Sequence, residues 1–379
     1  MSETDHKKLS IAFMNSIPAD VWRGGEKWMV NAAAGLAGRG HTVLCIGRKQ
    51  AAWLEKARAR GVETLELPIH SDFDPIIIGR LFSLFKKRHR DVLCCNFEKD
   101  VRLGGIAGRL AGIKKIFVRK GLCLMHDKLR YRLAYKYIVD DIITPAAFIK
   151  KQFSAFPWLN QERIHVVPNG VEVFDTARWD REKLRRVAGV NAPEPVVLGA
   201  GAIFSQKGFE YFIEALSLLH RQGVRVHGAI AGDGDKEAIT SLAGRLNIAP
   251  YVHLLGHRED VLELMYGADL FVLSSIDEGL PNVVLEAMSV GTPVVAADAG
   301  GTPEIITSGK DGFVVPIKNA QALAERIAQL VNDKTLSAEM GSAGSETVQE
   351  RFSIPSMVDK VESLFRMSVD EQEKGSAYD

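Results

Sequence analysis

Residues 274–288 read Ser-Ser-Ile-Asp-Glu-Gly-Leu-Pro-Asn-Val-Val-Leu-Glu-Ala-Met, which puts two carboxylates, a Gly-Leu-Pro turn and the start of a helix into one short stretch. Proline suits a first helical turn, where its missing N–H costs nothing, so the helix is expected to begin near Pro281. The amides of Gly279, Leu280, Asn282 and Val283 then lie near an electropositive helix end, a favourable place for a diphosphate. Glu278 and Glu286 have seven residues between them. Along a helix that separation sets their backbones roughly 12 Å apart, a span that suits a ligand with a hydroxylated ring at either end and phosphates between. A carboxylate accepts hydrogen bonds from two vicinal hydroxyls, which a sugar and a ribose both offer. Taken singly, Glu286 reads as a surface helix residue and Glu278 as a helix-start acid; their combination with the turn points to a ligand.

Lys207, after an apolar run and a Gly-containing turn, is placed to stabilise the negative charge of a departing nucleoside diphosphate. As a plain helix-start lysine it would oppose the positive end of the helix dipole. Gly24 and Gly25 fall between the first strand and a helix at Glu26, so their backbone can approach a phosphate. Asp233-Gly234-Asp235 has the form of a metal-binding acidic pair, but a lone Asp-Gly-Asp is a common turn and is discounted, leaving no metal ligand set. A dinucleotide-type glycine loop around Gly199 and Gly201 lacks its third glycine.

The elements that must position these residues follow from alternation of short apolar runs with amphipathic stretches, the text of parallel sheets crossed by helices. Strands are expected at 10–14, 42–46, 64–67, 92–96, 115–119, 141–144 and 165–167, and again at 196–199, 227–231, 252–254, 270–274, 294–297 and 312–315. The reading is α/β, with two doubly wound domains: 1–170, a linker at 171–195 around the Pro193-Glu194-Pro195 break, and 196–354. Residues 355–379 read as a terminal helix, free to pack back on the first domain, with a frayed tail. Ligands of such sheets lie outside the carboxyl ends of the strands.

A chain of 379 residues with 46% hydrophobic and 25% charged residues is globular and long enough for two cores. Its N-terminus lacks the hydrophobic region of a signal peptide, and no run of about 18 apolar residues is present, which predicts a cytoplasmic chain without a spanning helix. Cys45, Cys94, Cys95 and Cys123 lack metal or redox spacing and read as reduced core thiols. Residues 1–190 hold 34 Lys and Arg against 20 Asp and Glu, so the net charge of +1 hides a strong polarity. The clusters Lys86-Lys87-Arg88-His89-Arg90, Lys114-Lys115, Arg119-Lys120 and Lys128 to Arg132 fit peripheral contact with an anionic membrane rather than nucleic acid.

The segment EGLPNVVLEAMSVGTPVVAADAGGTPEII resembles the EX7E signature of the family 4 retaining glycosyltransferases, and the resemblance extends to VVPNGVE, GAIFSQKGFEYFIEAL, AGDGD and the early Gly24-Gly25. It covers most of the chain. It implies a GT-B fold, two Rossmann-like domains facing a central cleft, and sugar transfer with retention from a nucleotide-diphosphate sugar to a glycan or lipid-linked acceptor, without a cofactor or metal. It implies that Glu278 contacts the donor sugar, Glu286 the ribose and Lys207 the diphosphate, with Arg258 near the base by analogy. The chain departs from the family at Ala202, where members usually carry an arginine; Arg119, Lys120 or another basic residue is expected to replace it, the alternatives being a more weakly held donor or impaired catalysis. On the acceptor side the candidates are Asn96, Glu98, Asp100, Arg119, Lys120 and His126. The rival readings are a nucleotide-sugar epimerase on the same fold and a non-catalytic nucleotide-binding subunit, the latter raised by Ala202.

Overall fold

The computed structural model describes residues 7–125, 127–191 and 193–375. They form two compact units, one of residues 1–170 with 354–379 and one of residues 171–353. The first unit holds seven parallel strands: β1 (Ser10–Asn15), β2 (Thr42–Arg48), β3 (Glu63–Leu67), β4 (Val92–Cys95), β5 (Lys115–Arg119), β6 (Asp141–Thr144) and β7 (Ile164–Val166). Their order is β3-β2-β1-β4-β5-β6-β7. The second unit holds β8 (Val196–Ala200), β9 (His227–Ala231), β10 (Val252–Gly256), β11 (Leu270–Leu273), β12 (Val294–Ala297) and β13 (Phe313–Val315), ordered β10-β9-β8-β11-β12-β13. Every strand expected from the apolar runs is present, with ends shifted by a residue or two.

The order reverses between β1 and β4 in the first sheet and between β8 and β11 in the second. At such switch points the flanking loops diverge to opposite faces and leave a crevice at the carboxyl edge. The Gly24-Gly25 loop and Asn96 flank the first switch point, and the Lys207 and Glu278 loops flank the second. In register, Phe13 lies between Cys45 and Cys94, so the two thiols are part of a fully buried sheet layer. Burial pushes the Cys94 thiol up to about 12, in keeping with an inert core group. Cys123 is only half-buried and is no core residue.

Residues 171–195, read from the sequence as a linker, are packed into the second unit. Helix Lys183–Ala188 buries Leu184 completely, and Arg185 bonds Asp269 at 3.0 Å, so apolar burial and an ion pair outweigh the Pro-Glu-Pro break.

The terminal helix Ile354–Gly375 belongs to the first unit. Phe365 sits between Phe13 and Phe117, with ring centroids 6.4 and 4.8 Å away, and Val358 fits where Gly35 leaves no room for a Cβ. Its acids also offset basic text of the first domain. Glu373 bonds both Lys7 (2.6 Å) and Lys114 (2.7 Å), and Glu362 accepts from Arg39 (2.7 Å), His41 (3.0 Å) and Arg366 (2.6 Å). Burial pushes the Glu362 carboxyl up, but those three hydrogen bonds together bring it down to about 2. A depressed carboxyl contributes stability that is present above its unfolded value near 4.5 and is lost as pH falls through about 2. Glu362→Gln is therefore expected to cost on the order of 3 kcal/mol at pH 7 and to converge with wild type toward pH 2, as read from urea unfolding at several pH values.

Candidate active site

The site in the second unit is built from three loops at the carboxyl edge of its sheet. After β8 the chain makes a single tight turn, Ser205–Lys207, then Gly208, then helix Phe209–Arg221. After β11, residues 274–281 lead into helix Asn282–Ser289. The two loops are laced together: Ile276 N donates to Gln206 O (2.8 Å), Gln206 Nε2 to Asp277 O (3.1 Å) and Ser274 Oγ to Lys207 O (3.1 Å). The side chains complete the join, for Lys207 Nζ lies 2.6 Å from Glu278 Oε1 and Ser275 Oγ donates to that same oxygen at 2.7 Å. Both charged groups are largely shielded, 22% exposed for Lys207 and 13% for Glu278.

Two glycines permit this closeness. Gly208 has φ +60°, and a Cβ there would lie 2.2 Å from Ser274 O; Gly300, after β12, has φ +58°, and its Cβ would lie 1.8 Å from Glu278 O. Gly301 N then donates to Gly279 O at 2.7 Å, fixing the turn before the helix. An L-residue at position 208 is strained by its dihedral and clashes with backbone that cannot give way. Gly208→Ala is expected to cost about 2–4 kcal/mol and to separate the two loops, measurable as a lower urea midpoint together with a weaker nucleotide response.

The helix begins at Asn282, one residue later than the sequence implies, with Pro281 as its N-cap and Pro281 O accepting from Val284 N (3.1 Å). The residues from Glu278 to Leu280 are non-helical because the contacts with Gln206, Gly300 and Gly301 hold them folded back. The helical span inferred between Glu278 and Glu286 therefore applies only to its last part, with Glu286 in the helix and Glu278 in the loop. Leu280 is buried, so its side chain is core. Asn282, Val283 and Glu286 are partly exposed on the first two turns. Amides of a first turn have no acceptor within the helix, which makes that turn electropositive.

Other expected residues are engaged elsewhere. Arg258 makes a forked pair with Asp260 at 2.8 and 2.7 Å, and Lys183 reaches the same carboxylate at 2.8 Å. Asp233 pairs with Lys236 at 2.7 Å, and Asp235 caps helix Lys236–Arg245 by accepting from Ala238 N at 3.0 Å, so the Asp-Gly-Asp segment is a turn and a cap. Among the described residues no three His, Cys, Asp or Glu side chains are grouped to hold a metal ion. Ala202 is exposed on the β8 loop and leaves Lys207 as the one cation of residues 200–208.

The first unit has a second polar centre at its own switch point. Glu26, in the first turn of helix Gly24–Gly38, is 2% exposed and accepts from Asn15 Nδ2 (3.1 Å), Asn96 Nδ2 (3.3 Å) and Arg23 N (3.2 Å). Arg119 is buried beside it, over the Trp28 ring at 5.1 Å, donating to Asn169 Oδ1 at 3.1 Å. Its Nη1 lies 3.4 Å from where a Gly25 Cβ would stand and 3.2 Å from a Gly121 Cβ. Burial lowers the guanidinium to about 10 against the attraction of Glu26. Lys120 is committed to Glu98, which also accepts from Tyr135 Oη at 2.8 Å. Asp100 is a correction: expected on the acceptor side, it has no exposed surface and accepts from Ser16 N (2.9 Å), Phe97 N (2.8 Å) and Asn96 N (3.3 Å). Its task is to hold backbone, and burial pushes its carboxyl up to about 6. His126 lies outside the described residues. Glu26 and Asn15 went unseen in the sequence as site residues; the available signal was an acid directly after the Gly24-Gly25 pair.

Comparison with known proteins matches residues 180–347 to the family described as Glycosyl transferases group 1 and residues 22–173 to Glycosyltransferase Family 4. The lipopolysaccharide core biosynthesis glycosyltransferase LpsE of Rhizobium meliloti (strain 1021) is 29% identical, over 89% of this chain and 94% of the relative. The UDP-Gal:alpha-D-GlcNAc-diphosphoundecaprenol alpha-1,3-galactosyltransferase of Escherichia coli is 26% identical, over 82% and 84%. Among solved structures, a glycosyltransferase from Rickettsia africae ESF-5 shares the fold with TM-score 0.85 at 21% identity, covering 96% of this chain and 99% of that one. Anabaena HepE in complex with UDP shares it with TM-score 0.81 at 21% identity, covering 94% and 99%.

Proposed function

We propose that this chain, which belongs to the family 4 glycosyltransferases and has the GT-B fold of two Rossmann-like units, transfers a sugar, with retention, from a nucleotide-diphosphate sugar bound to its second unit. The observation that carries the reading is the Lys207–Glu278 pair beside the first turn of helix Asn282–Ser289, at the switch point of a parallel sheet. When a donor arrives, the diphosphate takes the ammonium of Lys207 and the helix-end amides, and Glu278 is released to accept hydrogen bonds from sugar hydroxyls. Glu286 takes the ribose hydroxyls. As the bond from C1 to the phosphate oxygen breaks, that oxygen gains charge, which Lys207 stabilises without a metal. The same oxygen accepts the proton of the acceptor hydroxyl while the acceptor oxygen bonds C1 from the same face.

The two relatives named above act in lipopolysaccharide core biosynthesis and on a diphosphoundecaprenol-linked sugar. They support a lipid-linked or lipopolysaccharide-type acceptor. Thermal shift against a panel of nucleoside diphosphates and their sugars in EDTA tests the donor assignment. One base is expected to stabilise the wild type, and the shift is expected to vanish in Glu286→Ala. No response to any nucleotide would overturn the assignment, and an inverted anomeric product by NMR would overturn retention.

A further inference from the structure

Strand β11 ends at Leu273, and the two residues that follow are both serines, Ser274 at 4% and Ser275 at 1% exposed. Buried hydroxyls need partners, and these two find theirs on opposite halves of the ion pair. Ser274 Oγ donates to the main-chain oxygen of Lys207 at 3.1 Å, whereas Ser275 Oγ donates to Glu278 Oε1 at 2.7 Å. Residues 275–278 have the Ser-x-x-acid spacing that caps a helix, where the hydroxyl would serve a main-chain N–H. No helix starts there, and the hydroxyl bonds the carboxylate itself. Glu278 Oε1 thus takes two donors, Lys207 Nζ at 2.6 Å and Ser275 Oγ, while Oε2 has no partner among the described residues.

We propose that the tandem serines divide donor recognition between them: Ser274 positions Lys207 for the diphosphate, and Ser275 positions Glu278 for the hydroxyls of the sugar. This division rests on the donor assignment made above. Neither serine is a catalytic residue, for each acts through the charged group it holds. In the free enzyme Lys207 and Ser275 share one carboxylate oxygen. Once a diphosphate draws the ammonium away, Ser275 is the side-chain donor left on Glu278 among the described residues. The last torsion of a glutamate is broad, so a hydrogen bond to Oε1 decides where Oε2 points. Bonds to an ionised acceptor are the short, strong kind, and the hydroxyl that makes this one is itself buried. The main chain is fixed from the other side, where Gly300 leaves room for Glu278 O and Gly301 N donates to Gly279 O at 2.7 Å. With its backbone and one oxygen held, Glu278 presents Oε2 in one direction before the sugar arrives, which is the preorganisation that lets a polar site choose among hydroxyl patterns.

Isothermal titration of the full chain tests the division, with the nucleoside diphosphate and the nucleotide sugar that give the largest thermal shifts on the wild type. Ser275→Ala is expected to weaken the nucleotide sugar about tenfold. It should leave the nucleoside diphosphate within about twofold, since water satisfies the freed carboxylate when no sugar is present. That retained affinity also certifies the fold of the variant. Ser274→Ala, which touches only the lysine side, is expected to weaken both ligands by one common factor of about three to ten. Ser275→Ala made in a Glu278→Ala background is expected to add no further loss, the result that separates positioning through Glu278 from a general structural role. Equal weakening of both ligands by Ser275→Ala, weakening of neither, a further loss in the Glu278→Ala background, or a sugar-selective loss in Ser274→Ala would each overturn the proposal. Failure of the wild type to bind either ligand would instead overturn the donor assignment, and the division with it.

Discussion

Lys207→Ala is expected to lower kcat/KM by about a hundred- to a thousandfold, the scale on which removing one preorganised charge stabiliser acts. Two features of this chain put the effect at the upper end. Ala202 leaves Lys207 as the one cation of residues 200–208. Glu278, 13% exposed and 2.6 Å from the lost ammonium, would also face an incoming diphosphate as an uncompensated negative charge. Charge on the leaving oxygen develops mainly in the transition state, so the loss should fall on kcat more than on KM. Lys207→Arg keeps the charge but not the compact ammonium, and should recover part of the rate. Steady-state kinetics with the donor identified by thermal shift decide the matter. A raised KM with unchanged kcat would reduce Lys207 to a ground-state binder.

How far this was legible depended on whether the signal was local. Thirteen runs named thirteen strands, because most of these strands are buried on both faces and so are written as continuous hydrophobic segments, while the less buried β3, β7 and β10 are shorter on that signal. Lys207 and Glu278 were found separately through turn and helix-start text, and the 2.6 Å bond between them needed the sheet, since they stand 71 positions apart and the β8–β11 adjacency joins their loops. The extended form of residues 278–280 was hidden for the same reason: Gly208 and Gly300, distant in sequence, fold that loop back. Asp100 misled because an acid after a strand looks the same whether it faces a ligand or accepts three main-chain amides. The basic clusters misled in part, because the partners of Lys114 and Lys7 arrive on the terminal helix, some 260 residues or more along the chain.

Glu26→Gln should cost the first unit about 3 kcal/mol of stability. The amide keeps the shape and one acceptor oxygen for Asn15 and Asn96 but removes the charge that offsets Arg119, whose guanidinium is 5% exposed and already lowered to about 10 by burial. A base depressed in the folded state costs stability wherever it is protonated, so the penalty is carried below about pH 10 and eases only above it. The deficit of Glu26→Gln should therefore be flat across neutral pH, unlike that of Glu362→Gln, which closes toward pH 2. Arg119→Met removes the buried cation and keeps the volume over Trp28, so Glu26→Gln/Arg119→Met should be less damaged than the sum of its parts. Urea unfolding of the four proteins gives the coupling energy directly. Strict additivity would mean that Glu26 acts through its hydrogen bonds to Asn15, Asn96 and Arg23 alone, with Arg119 stabilised by Asn169 and the Trp28 ring.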